Sequence, residues 1–505
     1  MRKVSVIHPF LFAIFPVLFL FSYNKTRMSL GETVVPGAAV IVSATVLLYL
    51  LHAIVKERIK AGVIVSSFLV LFFSYGHFYS ALAVVRHRYL LTLWAILFVL
   101  IVHWSWRTRR DLTNLTQFLN VVAISLVLIS VIDIAWYKLR TDARWFRDEI
   151  VHDLDDLSPE IRDVGTLPDI YYVILDRYAG AETLMECYGF DNSEFLNYLT
   201  ARGFYVASES KANYLKTAHS LASSLNMEYI NYLTQTVGEA SRDWRPLFSL
   251  LQDYKVWRFL KQRGYRFIHF GDGWHATSRN KYADANINYY WISEFAMLLY
   301  ETTMFSPIGV QLGLLDKRRE QWRRILYKLD KLEEIPYIEE PTFVFAHMLL
   351  PHAPYVFDRD GNFLTEQASL RRAEKRNYID QLIFTNKRVM RLIDTLITNS
   401  EVPPIIILQS DEGPFPLRYR QDADHFNWEQ ATKAELNEKM RILNAYYLPG
   451  APGDVLYPSV SPVNSFRIIF NLYFNQDFGT LPDKSYAFVD AQHLYRFFDV
   501  TDALK

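Results

Sequence analysis

The alternation of apolar and polar positions divides the chain in two. Over residues 1–137 long apolar runs alternate with short charged stretches, and the runs at 4–23, 34–55, 61–83, 89–106 and 115–137 are each close to the ~20 residues that carry a helix across a bilayer. They predict five transmembrane helices; a cleaved leader is not favoured for the first, because it has no small-residue cleavage site and four more runs follow. Residues 138–167 turn polar and acidic and read as a juxtamembrane connector. From 168 to 505 the pattern is that of a water-soluble domain. Compact β-branched and aromatic runs at 170–175, 204–207, 265–270, 342–347, 405–408, 442–448 and 486–489 predict strands. Helical segments at 193–202, 217–233, 254–263, 316–332, 370–397 and 462–473 fall between them. Strands alternating with helices predict an α/β fold with a mostly parallel central sheet covered on both faces.

Charge decides orientation and narrows function. With the amino terminus inside, the inner loops carry Arg2, Lys3, Lys56, Arg58, Lys60, Arg107, Arg109 and Arg110, against Lys25, Arg27, Arg86 and Arg88 outside. Lys138, Arg140, Arg144 and Arg147 run against that bias, but five crossings place the soluble domain outside the cytoplasm. The chain's 54 basic and 54 acidic residues cancel, which disfavours a nucleic-acid binder working through a strong positive field. One cysteine, Cys187, excludes an intramolecular disulfide and any multi-cysteine metal site.

The candidate chemistry gathers at strand ends. The run 405–408 leads into Ser410, Asp411, Glu412 and Gly413, and in open α/β sheets ligands bind beyond the carboxyl ends of strands. Two adjacent carboxylates repel, and a divalent cation is an efficient way to keep both ionised. Asp176 closes the run 170–175, where a cation or plain solvent would satisfy it. Thr217 opens a helical segment, so its hydroxyl is either an N-cap or a nucleophile in the positive field of a helix terminus, with Ser220 as the fallback. His347 and His352 flank a proline-stiffened loop after the run 342–347, and His425 follows the acidic loop. Imidazoles so placed serve as metal ligands or as donors to a phosphate or sulfate oxygen.

The segments 170–176, 217–226, 347–355 and 405–413, in that order behind five apolar runs, resemble the alkaline phosphatase and sulfatase superfamily. More narrowly they are similar to membrane-bound phosphoethanolamine transferases and lipoteichoic acid synthases. The resemblance implies an alkaline-phosphatase-like α/β domain, with Asp176, Thr217 and Asp411 as metal ligands and Thr217 as the residue that takes the phosphoryl group. It further implies that His347, His352 and His425 bind substrate or a second metal. Glu412 stands where such families have histidine, leaving Asp176, Thr217, Asp411 and Glu412 as an all-oxygen set that suits manganese, magnesium or calcium better than zinc. No Cys/Ser-x-Pro-x-Arg motif surrounds Thr217 or Cys187, which disfavours sulfate-ester hydrolysis.

The expected activity is therefore that of a multi-pass membrane enzyme with an extracytoplasmic catalytic domain. It would move a phosphoryl-linked head group from a membrane lipid donor to a glycan or lipid acceptor. Two rivals stand beside it: a phosphohydrolase or phosphodiesterase that releases the same threonyl intermediate to water, and a membrane scaffold inactivated by Glu412.

Overall fold

The computed structural model describes residues 4–82, 86–145, 167–289, 292–313 and 315–505; the connector expected at 138–167 lies largely outside them. The chain forms two compact units, residues 1–151 with 291–317 and residues 152–290 with 318–505.

The first unit holds five apolar helices: α1 (His8–Asn24), α2 (Val34–Val55), α3 (Arg58–Ala81), α4 (His87–Arg107) and α5 (Thr113–Trp145). Among the described residues four of them, α2 to α5, are long and apolar enough to cross a bilayer; the five crossings expected from the pattern reduce to four on this measure. The shortfall has a local cause. Pro9 at the start of α1 and the Asn120 carboxamide, which accepts from the backbone N–H groups of Ile7 (3.3 Å) and His8 (3.0 Å), fix its beginning at His8. Residues 4–7 are left outside the helix. Phe12, Ala13, Val17 and Phe21 of α1 are buried against Ala44 of α2, Leu69 of α3 and Ala123 of α5. Ala13, Ala44, Ala61 and Ala123 are fully covered, and small residues let helix backbones approach where lipid supplies no hydrophobic drive between them. The outward faces are apolar too, with Val42 and Val46 of α2, Val99 and Leu100 of α4 and Ile129 and Ile132 of α5 all exposed. A surface like that suits hydrocarbon and not water.

The second unit is built on a sheet of β1 (Ile170–Leu175), β2 (Tyr205–Val206), β3 (Arg266–Phe270), β4 (Ala285–Ile287), β5 (Thr342–Met348), β6 (Ile405–Gln409) and β7 (Asn444–Tyr447). The spatial order is β2-β7-β6-β1-β5-β3-β4. β1, β3, β4, β5 and β6 are parallel, whereas β7 runs antiparallel to β6, and β2 at the edge is antiparallel to β7 and so runs with the parallel strands. All six residues of β1 are buried, as a central parallel strand requires. Ile170, Tyr172 and Ile174 share one core with Leu221 and Leu225, and Tyr171, Val173 and Leu175 share the other with Leu382 and Val389. Truncating such a residue, for example Ile407→Ala, costs ~2–5 kcal/mol through lost transfer energy and the cavity left behind.

Three details depart from the pattern. The helix opening at Thr217 ends at Asn226, because Met227 takes a left-handed φ of 57° that breaks the ladder; 217–233 is not one helix. The run near 486–489 does not join the main sheet but pairs, as Tyr486–Phe488, with Phe497–Asp499. Residues 294–312, for which the sequence predicts no element, form two helices that belong to the first unit.

Candidate metal centre and anion cleft

Strand register brings the candidate ligands together. Ile174 of β1 pairs with His347 of β5 on one side and with Gln409 of β6 on the other. Asp176 lies two residues beyond Ile174 and Asp411 two beyond Gln409, so both follow their strands out of the same edge. Asp176, His347 and Asp411 each offer a ligand atom within 4.8 Å of the others, and all three are buried. His347 Nε2 lies 3.5 Å from Asp176 Oδ2. The other ring nitrogen, Nδ1, sits 2.6 Å from Asp272 Oδ2 and 2.9 Å from the Thr277 hydroxyl. Asp272 is itself held by the Trp274 backbone N–H at 2.7 Å. A carboxylate behind Nδ1 holds that nitrogen's proton and turns Nε2 toward Asp176, the arrangement found behind metal-bound histidines.

Among the described residues Asp176 Oδ1, His347 Nε2 and Asp411 Oδ2 have no hydrogen-bond partner although all are buried. Each orphaned atom of this kind costs ~1–3 kcal/mol, so three within one buried group call for a ligand. The charges say the same. Burial, with Asp176 and Glu412 adding to it, pushes the Asp411 carboxyl well above the usual range. Burial also acts on Asp176, but His352, His347 and Arg177 outweigh it and hold that carboxyl down. Burial opposes protonation of His347, yet Asp272 and Asp176 outweigh it and raise the ring to about 10. A divalent cation among the three would satisfy the unpaired atoms and relieve the repulsion. The residues fit such an ion.

Thr217 is the first residue of the ten-residue helix Thr217–Asn226, following Lys216 in extended conformation. Its hydroxyl stands against the Asp411 carboxylate and favours the ionised form. Ser220 is buried and donates to the Tyr214 carbonyl at 2.9 Å, which places its hydroxyl in the helix scaffold.

Glu412 faces elsewhere. Its Oε1 lies 2.9 Å from Lys439 Nζ and 3.3 Å from Arg177 Nε, and it is outside the group formed by Asp176, His347 and Asp411. The group whose ligand atoms lie within reach of one another thus contains the imidazole of His347 and not Glu412, unlike the all-oxygen set expected. Lys439 is fully buried, also donates to the Gly413 carbonyl at 2.8 Å, and lies 3.4 Å from the centre of the Phe415 ring. Burial brings this ammonium down to about 8 even with Glu412 beside it. Gly413 is required here, because a Cβ would fall 2.3 Å from the Glu438 carbonyl oxygen. The same Phe415 ring carries Lys216 at 4.0 Å and Arg177 at 4.4 Å.

Arg177 connects these contacts to a small open cleft lined by Arg177, His352, Tyr355, Glu374, Phe415 and Arg420 among others. His352 Nε2 lies 3.9 Å from Asp176 Oδ2, and burial and Arg177 lower its ring to about 4. His425 is in a different setting: its side chain is 84% exposed and pairs only locally, with Asp422 at 2.8 Å.

Sequence reasoning missed Asp272, Thr277 and Lys439. For Asp272 a signal existed: it follows the strand run 265–270 by two residues, as Asp411 follows β6. Lys439 had none, since it sits in the polar helix Lys433–Met440, which opens with a complete capping box from Thr432 and Glu435.

No family model matches this sequence. No curated protein matches it either. Several solved structures are similar to it. The C-terminal periplasmic domain of EcEptC from Escherichia coli is 14% identical with a TM-score of 0.42, over 67% of this chain and 94% of that one. The integral membrane lipooligosaccharide phosphoethanolamine transferase A from Neisseria meningitidis is 12% identical with a TM-score of 0.39, over 93% of this chain and 94% of that one. The lipoteichoic acid synthase LtaP from Listeria monocytogenes is 15% identical with a TM-score of 0.40, over 63% of this chain and 77% of that one. At these identities the functional reading falls to the residues of the site.

Proposed function

We propose that the chain is a membrane-embedded, divalent-metal-dependent transferase that moves a phosphoryl-linked head group from a lipid donor to a glycan or lipid acceptor through Thr217. The observation that carries this reading is the buried group of Asp176, His347 and Asp411, whose ligand atoms lie within 4.8 Å of one another, with the Thr217 hydroxyl acting on Asp411. Asp176, His347, Asp411 and Thr217 would hold the cation. Bound there, the ion supplies positive charge that lowers the pKa of the threonine hydroxyl. With His347 in the set and Glu412 held by Lys439, zinc and manganese suit the donors better than calcium or magnesium.

In the first half-reaction Thr217 Oγ1 bonds to phosphorus while the bond from phosphorus to the lipid oxygen breaks. The hydroxyl proton passes by way of the Asp411 carboxylate to the departing lipid alcohol. The positive helix terminus at Thr217 and the Arg177 guanidinium stabilise charge on the phosphoryl oxygens, and His352, whose Nδ1–H donates to the Ala353 carbonyl, lines the same cleft. In the second half-reaction an acceptor hydroxyl bonds to phosphorus, the bond to Oγ1 breaks, and the acceptor proton returns to Thr217.

The apolar helices keep the site beside its lipid donor. α1 serves as a fifth crossing: its 17 residues span about 26 Å, a little under the ~30 Å hydrocarbon core, but it is packed inside the bundle and does not have to match the lipid. Five crossings and the excess of Lys and Arg in alternate loops put the catalytic unit outside the cytoplasm.

Labelled phospholipid incubated with the wild type leaves a covalent phosphoryl adduct, and Thr217→Ala leaves none while retaining bound metal. An undiminished adduct in Thr217→Ala would overturn the assignment. Product analysis with and without acceptor glycan separates transfer from hydrolysis.

A further inference from the structure

Residues 291–317 leave the catalytic unit, join the membrane unit and return. Their sequence suits that course: from Phe295 to Leu315 the only charged side chain is Glu301. Ser293 caps the helix Glu294–Glu301 by accepting from the Ala296 N–H at 3.1 Å. Phe295 and Leu299 of this helix are buried in the same apolar cluster as Phe12 and Phe21 of α1 and Leu69 and Phe73 of α3.

The turn that follows is bonded to α3 through backbone atoms. The Gly76 N–H donates to the Thr302 carbonyl at 2.8 Å, and the Met304 N–H donates to the Phe72 carbonyl at 3.1 Å. Gly76 and Phe72 are four residues apart, so the turn meets both ends of one helical hydrogen-bond position. A Cβ at Gly76 would lie 2.5 Å from the Glu301 carbonyl oxygen, which makes glycine a condition of the contact. Phe305 then packs edge-on against Phe72 at 4.8 Å.

The second helix, Phe305–Leu312, leaves an apolar face uncovered: Phe305, Ile308 and Leu312 are 58%, 41% and 65% exposed. They recur at i, i+3 and i+7 and share one side. Val70 and Phe78 of α3, the helix on which the turn is docked, are exposed as well, so apolar surface continues from the bundle onto this hairpin. Glu301 and Lys317 meet at 3.4 Å where the hairpin begins and ends its uncharged stretch.

We infer that residues 292–313 are a membrane-inserted helical hairpin, a second anchor contributed by the catalytic domain, whose Phe305–Ile308–Leu312 face contacts lipid acyl chains. The uncharged run that begins after Glu301 and ends at Leu315 is too short to cross a bilayer and suits a re-entrant or interfacial segment. The catalytic unit is then tied to the membrane beyond its connector to α5. This inference does not depend on the chemistry proposed for Thr217.

Two measurements on the full chain in liposomes test it. In a Cys187→Ser background, spin labels at Ile308→Cys and Leu312→Cys should be more accessible to oxygen than to a water-soluble nickel chelate. Greater access to nickel, or exclusion of both reagents as under a second protein copy, would overturn it. After cleavage at a protease site inserted between residues 146 and 166, the catalytic fragment should stay in the membrane pellet through alkaline carbonate. It should be released at least several-fold more when Phe305, Ile308 and Leu312 are all changed to Glu. Complete release of the cleaved wild-type fragment, or equal retention of the triple variant, would sink the inference, and an unchanged metal affinity in that variant shows that it has folded.

Discussion

Asp411 and Glu412 are neighbours in the chain and live under opposite electrostatic arrangements. Asp411 joins Asp176 and His347, where three buried ligand atoms have no protein partner among the described residues. Glu412 is met by a fully buried ammonium from Lys439 and by the Arg177 guanidinium. Glu412 has cationic side chains of the fold beside it, while Asp411 has a second carboxylate and an imidazole. The difference teaches that two adjacent carboxylates after a strand need not share one counter-charge. Asp411 and Glu412 lie in a bend beyond β6, and here the second of them is paired internally.

The Lys439 side should carry the larger stability effect. Lys439→Met leaves Glu412 buried beside a single guanidinium, and removing one partner of a buried pair costs ~3–5 kcal/mol. The loss should appear as a lower urea midpoint by pulse proteolysis of the detergent-solubilised protein, with most of it recovered in Lys439→Met/Glu412→Gln. A single variant as stable as the wild type would break the comparison, because Glu412 would then be no more dependent on an internal cation than Asp411 is.

The two sides were unequally legible in the sequence. The runs at 170–175, 342–347 and 405–408 are near-continuous apolar blocks, as strands covered on both faces must be, and each ends at a group of the site. Asp176, His347 and Asp411 could therefore be picked out as candidates. Which way Glu412 turns depends on Lys439, whose helix carries the caps and charges of an ordinary surface helix. The role of His347 was open for a similar reason, since its orientation is set by Asp272 in the loop after another strand. The hairpin at 292–313 was invisible because its partner is the membrane unit, and an apolar stretch of that length matches a core helix equally well.

The metal side should respond to pH and to the residue behind His347. In the metal-free protein His347 is held up at about 10 by Asp272 and Asp176 against the effect of burial, and burial raises Asp411 as well. Binding a cation displaces those protons, so affinity should rise with pH, by roughly tenfold or more per unit between pH 7 and 9, and fall on acidification. Asp272→Asn removes the carboxylate that fixes the ring. It should weaken metal binding by ~10–100-fold and flatten the pH dependence, both read by competition with a chelating dye. A pH-independent affinity would remove His347 from the ligand set and leave the carboxylates alone.

The smallest effect belongs to Arg177, which touches both sides. Its backbone N–H faces Asp411 Oδ1 at 3.4 Å, its side chain reaches Glu412, and its φ of 61° lies in the left-handed region. A non-glycine residue held there stores strain of order 1 kcal/mol. Arg177→Ala and Arg177→Gly both delete the guanidinium and differ only in the backbone, so the difference between them isolates the strain from the charge. Gly is relieved of the strain but gains freedom in the unfolded chain, which offsets part of the gain. The glycine variant should be the more stable by about 0.5–1 kcal/mol, measured by urea midpoint. Both variants should transfer the phosphoryl group equally poorly if the guanidinium acts on the substrate. If Arg177→Gly instead restored transfer that Arg177→Ala had lost, the residue would serve the site through the turn it makes between Asp176 and Tyr178 and not through its charge.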